Sequence, residues 1–68
     1  MNKQLELKAE LVRRGMRYRD LAKELRARKL DIEEGDVLAI VAGKRVANEI
    51  LRHAISDILR RPTFEIFC

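Results

Sequence analysis

Residues 7–19 read Leu-Lys-Ala-Glu-Leu-Val-Arg-Arg-Gly-Met-Arg-Tyr-Arg, and the chain runs on as Asp-Leu-Ala-Lys-Glu-Leu to Leu25. The pattern is a helix, a glycine corner and a second short helix centred on Ala22. Gly15 follows two arginines at the place where a left-handed residue closes a helix, so the first helix should stop there. Flanked by Leu21 and Leu25, a residue as small as Ala22 lets a neighbouring helix pack closely across its own. The arginines of the corner suit phosphate, so this stretch points towards nucleic acid.

Upstream of the corner, residues 3–14 form an amphipathic helix with Leu5, Ala9, Leu11 and Val12 at helical spacing and Lys8, Glu10 and Arg13 turned elsewhere. Downstream, the second helix should run from Arg17 or Tyr18 to about Arg28, with Leu21, Ala22 and Leu25 inward and Asp20 near its positive end. Residues 29–36 make a long connection that gathers four acids around Gly35 and tucks Leu30 and Ile32 inward. Asp36, or an acid just before it, should cap a third helix that runs to Ala42 and ends at Gly43. The last long helix spans from Val46 or Ala47 to Arg60, its apolar stripe built from Ile50, Ala54 and Ile58 beside Leu51, Ile55 and Leu59. Pro62 ends it, and residues 63–67 read either as one helical turn capped by Thr63 or as a short extended tail. A strand competes at residues 37–42, whose β-branching would let them pair with residues 64–67 in a small sheet.

The 68 residues fit one domain, residues 1–68, without repeats or low-complexity stretches. A chain this short buries a modest share of its surface, and association could supplement its stability. Fifteen Lys and Arg against eleven Asp and Glu give a net charge of +4, which favours polyanions without demanding them. The longest apolar run, residues 37–42, is too short to cross a bilayer, and charge occupies the place of a signal peptide's apolar stretch, so a cytoplasmic protein is expected. Cys68 alone rules out an internal disulfide and supplies no metal cluster.

Catalysis finds no foothold. His53 lies on the last helix at helical spacing from Glu49 and Asp57, with no second His or Cys to share a metal. Ser56 and Asp57 are neighbours on a helix, so they point in different directions and form no nucleophile pair. The acids at residues 31–36 lack the twelve-residue pattern and closing glutamate of a calcium loop, which leaves them a solvated or capping role. No enzyme, metal or cofactor is expected.

Taken together, residues 8–25, residues 37–45 (Val-Leu-Ala-Ile-Val-Ala-Gly-Lys-Arg) and residues 50–67 resemble the small lambda-repressor-like helix-turn-helix regulators. In that family an Asn-Gly-Lys loop closes the recognition helix, and here Ala42-Gly43-Lys44-Arg45 stands in its place. The resemblance implies an all-α domain of four to five short helices and a homodimeric, bacterial or phage-type transcription regulator bound to double-stranded DNA. Aromatics of the tail would seal its core. It places Arg17, Tyr18 and Arg19 at the backbone, Lys44 and Arg45 at the opposite phosphate clamp, and Asp36, Leu38 and Ala39 on the helix that enters the groove, while Arg14, with Arg13, is a phosphate candidate through the clustering of basic residues at the corner. The chain has several extra residues before that helix, which would tilt or shift it. Its side chains are mostly apolar, so base reading is thin. The other reading is a protein-interaction module on the same fold, in which the apolar third helix and the tail dock a partner; exposure of Leu38, Val41 or Phe67 would favour it.

Overall fold

The computed structural model describes residues 4–67, and it contains five helices and no strand among them. They are α1 (Leu5–Arg13), α2 (Tyr18–Ala27), α3 (Glu34–Val41), α4 (Glu49–Leu59) and α5 (Thr63–Ile66). Residues 37–42 belong to α3 and its cap, so the strand reading falls. The expected start of the first helix at Lys3, and Cys68, lie outside the described residues.

The glycine corner forms as the sequence requires. Gly15 has a φ of +65°, and the Met16 N–H reaches back to the Leu11 carbonyl at 2.9 Å, the hydrogen-bonded close of a left-handed C-terminus. Leu21, Ala22 and Leu25 are fully buried on α2, which packs most extensively against α3. Lys29, in the left-handed region at φ 66°, ends α2. The connection then returns Ile32 to the core while Leu30 stays half-buried against it. Gly43, at φ +78°, closes α3 in the same way.

Several faces differ from the reading of the sequence. On α1 the core takes Leu7 and Leu11, whereas Leu5 is exposed and Val12 is 70% exposed. The reason lies between them: Glu10, 7% exposed, sits on the inward side and receives arginines from two directions, which fixes the rotation of the helix. On α4 only the row Leu51, Ile55 and Leu59 is buried; Ala54 and Ile58 are half-buried, and Ile50 is 70% exposed. That helix starts later than expected, because the Asn48 side chain accepts the Leu51 N–H at 2.8 Å and so defines the first turn. Residues 63–66 form the helical alternative, with Pro62 in the capping place and Thr63 as the first helical residue, making no side-chain cap. The aromatic seal is incomplete: Ile66 is the buried residue of α5, Phe67 is half-buried and Phe64 is 80% exposed.

Candidate nucleic-acid interface

The N-terminus of α2 is built by one acid. The Arg17 N–H donates to Asp20 Oδ2 at 2.9 Å, satisfying a free backbone donor and placing negative charge at the positive end of the helix. Around that cap stand exposed Arg17 and Arg19 and half-buried Tyr18. Neither arginine has an ion-pair partner among the described residues. Arg17 and Tyr18 border a shallow hollow of about 300 Å³ with Lys8, Val12, Met16 and Glu34. Lys8 and Glu34 were missed in the sequence. A reading that took Leu7 and Leu11 as the buried pair would have turned Lys8 towards this corner.

The N-terminus of α3 uses the same device. The Glu33 N–H donates to Asp36 Oδ2 at 2.9 Å, so Glu33 is the capping residue and Asp36 stands three places on. Here two of the acids receive cations. Arg45 Nη1 lies 2.8 Å from Asp36 Oδ1, and Arg26 Nη1 lies 3.3 Å from Glu33 Oε2 while also donating to the Ile32 carbonyl. Lys44, in the loop that Gly43 opens, is exposed and has no ion-pair partner among the described residues. The backbone N–H groups of Lys44 and Arg45 both reach the Ala39 carbonyl, at 2.9 and 3.2 Å, which fixes the loop against the end of α3. On α3 itself, Leu38 is 51% exposed, Ala39 is half-buried and Val41 is buried.

Arg14 is held elsewhere. Its Nε donates to Glu10 Oε2 at 2.8 Å and its Nη2 to the Leu59 carbonyl, tying α1 to the end of α4. Arg13 and Arg61 also approach Glu10 Oε1, at 2.7 and 3.5 Å, and Arg61 holds Glu65 at 3.0 Å through Nε. The hydrogen bond from Arg14, helped by the charges of Arg61 and Arg13, keeps the Glu10 carboxyl below its usual range against the opposing pull of burial. Arg61 is held above its usual value, mainly by its hydrogen bond to Glu65.

The structure thus gathers Arg17 and Tyr18 at one corner, with Arg19 on the same first turn of α2, and pairs Arg45 with Asp36 at another. It sets Arg14 in a separate cluster. Among the described residues no group of His, Cys, Asp and Glu could hold a metal ion, and no helix is long and apolar enough to cross a membrane. No protein-family model, curated protein or solved structure matches the chain.

Proposed function

We propose that this chain is a double-stranded-DNA-binding regulator of bacterial or phage type, in which α2 and α3 act as a lambda-repressor-like helix-turn-helix pair. The observation that carries the reading is the charge at the N-terminus of α2. Cations in the first turn of a helix oppose its dipole, by roughly 0.3–1 kcal/mol each at low salt, yet Arg17 and Arg19 stand there without a counter-ion among the described residues. An arrangement that disfavours the free protein is explained by an anion that arrives from outside. Phosphate is such an anion, and the helix-end amides add donors of their own.

In this reading Arg17, Tyr18 and Arg19 grip one stretch of backbone and Lys44 another. Arg45 neutralises Asp36, and Arg26 neutralises Glu33, which lowers the repulsion that the acids of α3 would exert on phosphate. Leu38 and Ala39 then offer apolar contact to thymine methyls, and the remaining specificity falls to duplex shape. The test is selection of bound duplexes from a randomised pool near physiological salt, where a Debye length of about 8 Å trims diffuse attraction. Enrichment of a two-fold symmetric site is the expected outcome, and failure to retain any duplex would overturn the proposal. A protein-interaction role is favoured by one observation, the exposure of Leu38, while the burial of Val41 removes much of the apolar surface that role needs.

A further inference from the structure

The folding of α3 leaves one of its residues unexplained. Gly35 has ordinary helical backbone, with none of the left-handed φ that calls for glycine at Gly15 and Gly43, and a Cβ added to it would meet nothing within 4 Å. Glycine without such a need weakens a helix relative to alanine, because more backbone freedom is lost on folding. The other use of a glycine is to let a second molecule come close to the backbone. Gly35 lies on the solvent face of α3, between exposed Glu34 and, one turn on, exposed Leu38, with half-buried Ala39 beside them. That face continues into the α2 corner, since Glu34 borders the same hollow as Arg17 and Tyr18. Glu34 is also the acid of the α3 cap that holds no arginine among the described residues, Glu33 being paired with Arg26 and Asp36 with Arg45.

Given the duplex binding proposed for α2 and α3, on which this rests, we infer that α3 meets the duplex at Gly35 and that Glu34 reads a cytosine there, its carboxylate accepting a hydrogen bond from the N4 amino group in the major groove. An ionised carboxylate can only accept. Cytosine shows it a lone donor on the major-groove edge, whereas guanine shows two acceptors, adenine sets its N7 acceptor beside its amino group, and thymine shows an acceptor and a methyl. Cytosine is therefore the base that a free carboxylate favours. A side chain at position 35 would hold the α3 backbone off the base edges by its own thickness. Without one, the Glu34 carboxylate reaches them, and Leu38, one turn on, settles against a thymine methyl. Arg17, across the shared hollow, offsets the repulsion between Glu34 and the phosphates that flank the groove. Duplex shape then need not carry all of the specificity that Leu38 and Ala39 leave open.

The experiment is selection from a randomised duplex pool by the wild type, Glu34→Gln and Gly35→Ala, with the enriched sites then titrated and each free protein melted. The wild type should enrich a site with a C·G pair at a fixed position. Glu34→Gln should exchange that pair for A·T and leave the other positions alone, because a glutamine amide matches the donor and acceptor of adenine. It should bind the original site about tenfold more weakly. Gly35→Ala should also bind the wild-type site about tenfold more weakly, yet melt at a higher temperature, which separates a lost contact from a damaged fold. Duplex binding in which no C·G pair is enriched, Glu34→Gln selects the wild-type site, or Gly35→Ala binds as tightly as the wild type would overturn the roles of Glu34 and Gly35 and leave the phosphate grip at α2 standing. A wild type that retains no duplex would overturn both.

Discussion

Helices α2 and α3 begin in the same way and are treated differently afterwards. Each places an aspartate three residues beyond the capping position, Asp20 and Asp36, and each aspartate accepts its capping residue's N–H at 2.9 Å. At α3 two of the three acids at the cap are given an arginine, Arg45 for Asp36 and Arg26 for Glu33, and only Glu34 has none among the described residues. At α2 the surrounding charges are cations, and Arg17 and Arg19 have no such counterpart among the described residues. Backbone satisfaction is therefore constant across the two N-termini, while charge compensation varies. Folding explains the cap in both places. It explains the charge only at α3, where acids meet the positive end of the dipole and two of them are paired as well.

The two N-termini keep their places only if α2 and α3 are held in one arrangement, and Ala22 sits fully buried on the helix that makes most of that packing. Ala22→Leu should overpack the site and destabilise the domain by roughly 1–3 kcal/mol, the usual penalty for an added side chain in a filled core. Chemical denaturation measures it. A neutral result would mean that the core leaves slack at this point and that the two helix starts are free to shift.

The next test separates arginines that serve the fold from those at α2. Arg13, Arg14 and Arg61 converge on Glu10, whose folded pKa is depressed, chiefly by its hydrogen bond to Arg14. A depressed carboxylate contributes stability that is present above its unfolded pKa, near 4.5, and lost as pH falls through the folded value. The wild type should therefore lose stability on acidification below about pH 4.5. Glu10→Gln should already be less stable at neutral pH and show a shallower acid loss. Equal acid profiles would show that this cluster adds nothing beyond its packing.

How far the sequence carried these distinctions is visible in individual residues. The glycine corner, the Leu21–Ala22–Leu25 face and the stop at Gly43 were legible because each is decided within one or two turns of chain. The face of α1 was not, since Leu5 and Val12 are as apolar as Leu7. What settles the rotation is Glu10 meeting Arg61 from the far end of the chain. Asn48 displaced the start of α4 because an apolar run, Val46 and Ala47, precedes the cap and reads as helix. At the site, the cations could be found in the sequence, but their state could not. Arg14 and Arg17 differ by three positions, and only the fold shows that one holds Glu10 and Leu59 while the other faces solvent.

A smaller effect compares the two caps directly. Asp20→Ala and Asp36→Ala each remove the acceptor for one capping N–H, at about 1 kcal/mol in thermal or chemical melts. Asp36→Ala also strands Arg45, and because both members of that pair still reach solvent the difference between the two variants should be a few tenths of a kcal/mol and should shrink in high salt. Identical losses at all salt concentrations would remove charge compensation from the description of α3 and leave only its cap.

The smallest change in stability bears most on function, because it has the opposite sign. Replacing both Arg17 and Arg19 with Ala relieves two cations at the positive end of α2, so the free protein should become more stable by a few tenths of a kcal/mol at low salt. The same variant should bind every duplex more weakly and flatten the dependence of log affinity on log salt by about 0.9 for each phosphate no longer neutralised. Stability and binding then move in opposite directions, which is the mark of charges kept for a ligand. A variant that loses stability instead would show that these arginines serve the fold through interactions of their own, and an unchanged salt slope would remove them from the interface. The first result would make the N-terminus of α2 a second case of what is seen at α3, a cap with charges that the fold itself explains.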